Sequence, residues 1–142
     1  MKIPVLLTIC GKQFYDEHEP EVIELVTEGT LEAIENGWEI YYEESSLTGM
    51  EGINTLFRIQ PDKITLVRSG RLNSQMEFQL GVLHHSLYQM EFGALMIAVT
   101  ARQVLFDLTP EGGFVDLVYD IEIENTASGV VDYHLDIRAI EG

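Results

Sequence analysis

The sequence predicts an all-β protein, a single antiparallel meander of about eight to ten strands closed into a small barrel. Apolar and polar residues alternate with a period of two along much of the chain, as in strands with one buried face. Short turn-forming sequences separate these segments, and none of them makes a good helix. Strands joined by short turns without crossover helices indicate antiparallel pairing, and a sheet with one apolar face most simply closes into a barrel.

The alternation is clearest near the end of the sequence. Residues 115–123 carry an apolar side chain at every second position, with mostly acidic residues between them. Residues 131–139 repeat the pattern, and residues 125–129 between the two stretches are typical of a turn. These segments predict a hairpin whose apolar side chains face the interior and whose polar side chains face solvent.

The dipeptide Asn36-Gly37 predicts the turn of another hairpin, because both residues tolerate a positive φ. A turn centred on this dipeptide pairs Glu35 with Trp38. The same register places Leu31 opposite Tyr42, on the inner face of the barrel.

The dipeptide Pro61-Asp62 predicts the turn of a further hairpin, since proline presets the φ of a turn and aspartate favours turn geometry. This turn pairs Gln60 with Lys63. It also places Thr55 opposite Arg68.

The remaining strands are predicted from shorter patterns, at residues 3–10, 21–34, 75–80, 85–90 and 93–108. Residues 21–34 also fit a helical stripe, but Gly29 and Thr30 in the middle of the segment favour a strand. Near Arg102 the alternation slips, which predicts a β-bulge.

The composition bounds the architecture and excludes several function classes. With 142 residues, 46% of them apolar, we expect one compact domain covering residues 1–142. The 24 acidic and 8 basic residues give a formal charge of -16, which excludes binding to a nucleic-acid backbone. No apolar run reaches the roughly 18 residues of a membrane span. The single Cys10, together with the lack of a recognisable export signal, predicts a cytoplasmic setting.

The charge is unevenly distributed along the chain. Residues 1–51 hold 12 acids and 2 bases, residues 52–106 hold 3 and 5, and residues 107–142 hold 9 and 1. Because barrel closure makes the first and last strands neighbours, the two acidic segments should form one negative sector. Repulsion then leaves the middle strands as the expected contact for another copy of the protein, a contact that charge reversal at Arg58 or Arg71 would test.

Two charged residues fall on the inner face of the predicted barrel, near the strand ends. Glu44 continues the apolar face of one strand and Arg68 that of another, so both should find partners, since an unpaired interior charge is very costly. One interpretation is a ligand site at the barrel mouth, with Arg68 anchoring an anionic or carbonyl group and with Tyr42, Thr55 and Tyr88 around it. The alternative is a structural Glu44–Arg68 ion pair that closes the barrel end.

Several short motifs occur in one order along nearly the whole chain: Tyr42-Glu43-Glu44, Gly52 with Thr55, Arg68 with Gly70, Phe78, and Tyr88 with Phe92-Gly93. In this combination the sequence resembles the YwiB-like family of uncharacterised bacterial proteins. The family's Tyr-x-Thr-Pro-aromatic-Gly element has Met90-Glu91 here in place of Thr-Pro. The resemblance implies a lipocalin-like, calycin-type β-barrel in a bacterial cytoplasm. It implies no activity, because fold alone does not fix function.

Other residue groupings support no chemistry beyond this. Asp120, Glu122, Asp132 and His134 share an exposed face of the last hairpin, where they would either approach a divalent cation or form a solvated acidic surface. Phosphate-loop, dinucleotide and catalytic signatures are missing from the sequence, so we expect no metal, no cofactor and no enzymatic activity.

The sequence therefore predicts a non-enzymatic module that binds a small, partly apolar or anionic ligand at the barrel mouth. The alternative is a protein-interaction or homo-oligomeric module whose barrel is filled by side chains. The inward-facing aromatic residues fit either interpretation, since small barrels either enclose a ligand or fill their interior.

Overall fold

The fold is built from ten β-strands, in a computed structural model that describes residues 2–15, 18–44, 52–70, 72–90 and 93–140. The strands are β1 (Lys2–Tyr15), β2 (His18–Ile34), β3 (Gly37–Glu43), β4 (Ile53–Gln60), β5 (Lys63–Gly70), β6 (Ser74–Phe78), β7 (Leu83–Met90), β8 (Gly93–Thr109), β9 (Gly112–Ile123) and β10 (Thr126–Ala139). The described residues contain no helix, and therefore none that could cross a membrane. The all-β prediction is confirmed.

The strands form one sheet that curls into a nearly closed antiparallel barrel. Its order is β6-β5-β4-β3-β2-β1-β10-β9-β8-β7, so the first and last strands of the chain pair, as predicted. The two outermost strands meet where Asn73 and Gln89 exchange backbone hydrogen bonds of 2.9 Å. Farther along this seam, the Glu77 backbone N–H donates to Nδ1 of His84 at 3.3 Å.

Several predicted details are confirmed. The hairpin of β4 and β5 pairs Gln60 with Lys63 and Thr55 with Arg68. Residues 21–34 lie within the strand β2. The register of β8 against β9 shifts between Ala101 and Gln103, which places the bulge at the predicted position.

The predicted register of the hairpin β2–β3 is wrong by two residues. The turn lies at Glu35-Asn36, where Asn36 has φ 64°, and the first pair beyond it joins Ile34 to Gly37. Gly37 is needed inside β3 because a Cβ there would collide with the carbonyl oxygen of Ile59 on β4. A shift of two residues keeps every side chain on its predicted face.

The last hairpin also turns earlier than predicted. Glu124 and Asn125 adopt φ values of 51° and 65°, which suit a two-residue hairpin turn. Residues 126–129, which were expected in the turn, instead begin β10, where the register against β9 shifts between Ala127 and Gly129. The bulge takes up the extra residue, so the predicted alternation on both arms is preserved.

The barrel interior is divided along its axis. One half, which we call the packed half, is filled by side chains of 2% exposure or less: Val5, Leu7, Leu31, Ile40, Phe57, Ile59, Ile64, Phe78, Val115, Leu117 and Leu135. Aromatic contacts link it to the other half, with Phe57 and Tyr133 ring centroids 5.7 Å apart. The other half, the cavity half, holds the polar residues predicted to face inward.

Candidate functional site

A row of polar side chains crosses the inner wall at the boundary between the two halves. Tyr42, Thr55, Arg68 and Ser74 are directly paired neighbours on β3, β4, β5 and β6. The next row toward the packed half is apolar and consists of Ile40, Phe57, Leu66 and Met76. Because side chains alternate along a strand, two-residue steps along these four strands place the polar row on the same inner face as the core.

Above the polar row lies a cavity of about 240 Å³. Of the five residues proposed for the mouth, Tyr42, Glu44, Arg68 and Tyr88 line it, whereas Thr55 does not. Its apolar wall is formed by Ile9, Ile23, Leu25, Met76, Ile97, Ile121 and Val131, and Gln13 and Glu21 also contribute. The cavity is therefore mostly apolar with a few polar groups, the composition typical of small-molecule sites.

Thr55 supports the cavity through Glu44. Its side chain is fully buried, and its hydroxyl donates a hydrogen bond of 2.5 Å to Oε2 of Glu44. Glu44 itself is 8% exposed. A buried carboxylate requires such donors, so Thr55 fixes Glu44 rather than touching a ligand.

Arg68 has unused hydrogen-bonding capacity. Its Nη1 donates to the Tyr88 hydroxyl at 3.4 Å, but its Nε is buried and has no hydrogen-bond partner in the described part of the chain. Burial acts to lower the pKa of Arg68, but the hydroxyls of Tyr88, Tyr133 and Tyr42 together with the Glu44 carboxylate outweigh it, so the pKa lies above its ordinary value. The guanidinium is therefore a charged donor in the cavity wall. A direct Glu44–Arg68 ion pair stays a prediction.

Two further tyrosines belong to the site. Tyr133 and Tyr119 line the cavity, and the Tyr133 hydroxyl lies 3.2 Å from that of Tyr42. Burial raises the pKa of all three phenols above the usual value, so each remains a neutral hydrogen-bonding group. The alternation in the sequence placed Tyr119 and Tyr133 on the inner face, but their height in the barrel depends on the pairing of distant strands.

The acidic residues on the exposed face of the last hairpin do not form a cation site in the described structure. Asp120 accepts two hydrogen bonds from Arg102, at 2.7 and 2.8 Å. His134 instead contacts Asp116 through Nδ1 and Asp136 through Nε2, the latter at 3.0 Å. Within the described ranges, no three histidine, cysteine or acidic side chains lie close enough to hold a metal ion.

Comparisons with known proteins agree with this architecture. The family model described as "Domain of unknown function (DUF1934)" matches residues 7–137. The uncharacterized beta-barrel protein YwiB of Bacillus subtilis (strain 168) is 28% identical over 109 residues, which cover 76% of this chain and 75% of the relative. The crystal structure of the ywiB protein from Bacillus subtilis superposes with a TM-score of 0.88 at 21% identity, covering 99% of this chain and 94% of the other. The shared fold is therefore a β-barrel.

Proposed function

Because the chain belongs to the DUF1934 family, a family defined by a domain of unknown function, we propose its role from the geometry of the cavity. The barrel is a non-enzymatic module that binds a small, mostly apolar molecule carrying one carboxylate, with Arg68 as its anchor. The molecule enters through one end of the barrel, as in lipocalin-like proteins. The free thiol of Cys10 suits a cytoplasmic setting for this module.

One observation carries this proposal: the buried Nε of Arg68 has no partner in the described chain, although its side chain lines the cavity. A buried donor without an acceptor costs roughly 1–3 kcal/mol. A carboxylate in the cavity would balance the charge of the buried guanidinium and would accept the charge-assisted bonds that guanidinium groups form with carboxylates. The hydroxyl of Tyr88 lies close enough to help orient such a group.

The cavity volume limits the size of the ligand. An engineered protein cavity of about 150 Å³ holds one benzene molecule. The 240 Å³ available here therefore admits a single ring, or a short branched chain, together with its carboxylate. Drug-sized molecules need cavities of roughly 300–1,000 Å³ and are too large.

Benzoate is a suitable probe, with benzyl alcohol as its uncharged counterpart. We expect titration calorimetry to detect benzoate binding to the wild-type protein, and Arg68→Met to weaken that binding at least about tenfold, because the charged hydrogen bonds are lost. Arg102→Met removes an arginine on the outer surface and should bind benzoate like the wild type. Equal affinity of the Arg68→Met and wild-type proteins, or equal binding of benzoate and benzyl alcohol, contradicts the proposal.

Arg68→Met also separates a structural role from a binding role. A folded variant with little change in thermal stability that loses benzoate supports a ligand anchor, whereas a large loss of stability supports the structural ion pair. If the variant does not fold, Arg68→Lys retains the charge without the two-donor geometry and should bind benzoate more weakly than the wild type.

Native mass spectrometry of freshly purified protein should reveal a co-purifying carboxylate of about one ring in size. If neither that molecule nor benzoate binds, the proposal fails.

A second candidate function, self-association, is favoured by an apolar surface on the middle strands. Its exposed side chains are Leu80, Val82, Leu83, Leu87 and Met96. On adjacent strands, Leu87 and Met96 are directly paired neighbours. They lie in the segment of the sequence with a small positive charge balance, where two strongly acidic copies repel each other least.

Sedimentation at several salt concentrations tests this second candidate. Leu87→Lys with Met96→Lys should shift a dimer toward monomer, whereas Leu105→Lys, an exposed leucine on β8 outside this surface, should not. Arg58 is a less direct test than the sequence suggested, because its Nε donates to Glu39 at 2.9 Å. Arg71 lies outside the described residues. A wild-type monomer at every concentration excludes this function.

A further inference from the structure

Within the part of the chain that the structure describes, strand β2 has a partner on only one side along most of its length. It pairs with β1 from His18 to Glu32, but with β3 only from Thr30 to Ile34. Among the described residues, none pairs with the segment 19–29 on the side away from β1. We call this segment the β2 edge. Backbone groups alternate between the two sides of a strand, so about half of those in the β2 edge point away from the sheet.

The edge arises because β2 and β3 diverge. At Gly29 the two strands are in close contact, since a Cβ there would collide with the carbonyl oxygen of Tyr41. Beyond this point β3 continues alongside β4, and the Glu44 N–H donates to the Ile53 carbonyl at 2.9 Å. The divergence leaves a notch of about 730 Å³ between Val26–Thr30 on one side and Tyr41–Glu44 on the other.

The side chains of the β2 edge have a regular pattern on the outer face. Val22, Glu24, Val26 and Glu28 alternate between apolar and acidic, and the two valines are 50% and 61% exposed. On the inner side, Ile23 is 54% exposed at the rim of the cavity. An edge strand of this length and apolarity is a ready template for pairing with another strand.

We infer that the β2 edge binds an extended segment of a partner protein by strand addition, and that this segment carries lysine or arginine at every fourth position with apolar residues between. An extended polypeptide is the ligand whose backbone matches a row of unpaired N–H and C=O groups. Directly opposed side chains of unlike charge stabilise strand pairs, so bases fit opposite Glu24 and Glu28 and apolar side chains fit opposite Val22 and Val26. A second copy of this chain would bring an acidic surface against an acidic surface and is disfavoured.

A synthetic peptide of about nine residues tests the inference, with valine and lysine alternating on one face and threonine on the other. Fluorescence anisotropy should show binding of this peptide and much weaker binding of the same peptide with glutamate in place of lysine. Glu24→Lys with Glu28→Lys should weaken the lysine peptide about tenfold or more and strengthen the glutamate peptide. The control Asp62→Lys with Asp107→Lys changes the net charge equally at exposed positions away from the edge and should alter both affinities little.

Three results overturn the inference: no binding of the lysine peptide, an equal loss of affinity in the control variant, or protection from hydrogen exchange, in the free protein, of those amides of 19–29 that point away from β1. The last would show that the chain itself covers this edge. The peptide assay requires no ligand in the cavity, so failure of the cavity proposal leaves this test unaffected.

Discussion

The hydroxyl oxygens of Tyr42 and Tyr133 lie 3.2 Å apart across the barrel interior, although 91 positions separate the two residues in the chain. Tyr42 is on β3 and Tyr133 is on β10. The pair therefore links strands that are separated in the sheet by β2 and β1. Both rings also line the cavity, so this contact spans its base and holds two of its walls together.

Tyr42→Phe and Tyr133→Phe should each lower the free energy of unfolding by about 1 kcal/mol, because each leaves the other buried hydroxyl without this partner. The double variant should lose about as much as either single variant rather than the sum. Urea unfolding of the four proteins in a double-mutant cycle measures this coupling. Additivity within about 0.5 kcal/mol would show that the two hydroxyls do not interact.

Thr55→Val should destabilise the protein by about 1–3 kcal/mol, because it removes the hydroxyl that donates to the buried Glu44 carboxylate and keeps the shape of the side chain. Thr55→Ser retains the hydroxyl and should recover most of the loss. Chemical denaturation of both variants provides the measurement. Equal stability of the wild-type and Thr55→Val proteins would show that the hydrogen bond to Glu44 contributes nothing to the free energy of unfolding.

Stability should depend on the protonation of His134. The hydrogen bond to Asp116, opposed by partial burial and assisted by Asp136, raises the pKa of His134 above its usual value of about 6.5. A raised folded-state pKa means that this stabilisation is fully present below about pH 6.5 and is lost as the pH rises through the folded-state value. Since the site is partly exposed, the effect should be small and should shrink in high salt.

NMR titration of the imidazole protons reports the pKa of His134 directly, and unfolding curves on either side of neutrality report its contribution to stability. His134→Gln should remove this part of the pH dependence. His85→Gln, at an exposed position on β7, should not. A His134 that titrates at or below the value of an unfolded chain would contradict the prediction.

Gly29→Ala should destabilise the protein by about 1–3 kcal/mol, because the new methyl group would collide with the Tyr41 carbonyl and lie 2.9 Å from Cδ1 of Leu7. Gly11→Ala is the matched control, since its methyl group would lie 3.6 Å from the Tyr133 ring, an ordinary contact. Gly11→Ala should be neutral or stabilise the protein by up to about 1 kcal/mol. Thermal unfolding of the two variants measures the difference, and equal stabilities would argue against the close approach of β2 and β3.

Much of the fold follows from local patterns in the sequence. The period of two identifies the inner face, and the turn at Pro61-Asp62 fixes the pairing of Thr55 with Arg68. Together these place Arg68 and Glu44 in the interior before any long-range contact is known. The strand β2 follows from Gly29 and Thr30, which disfavour the competing helix.

The rest depends on contacts between strands far apart in the chain. Gly37 reads as a turn residue, yet its small size is needed against Ile59 on β4, a contact that no local rule includes. The sequence likewise gives no cavity volume, because the volume depends on how side chains from opposite walls meet. The unpaired length of β2 is a third case, since it reflects where β3 diverges rather than anything within β2 itself.

The division of the barrel into the packed half and the cavity half has an evolutionary consequence. Substitutions around the cavity half change which ligand fits in the cavity, while the packed half continues to stabilise the fold. Related chains can therefore diverge in the ligands that they bind without losing the fold. The same separation makes this barrel a suitable starting point for engineering new small-molecule receptors, because affinity and foldability are governed by largely different positions.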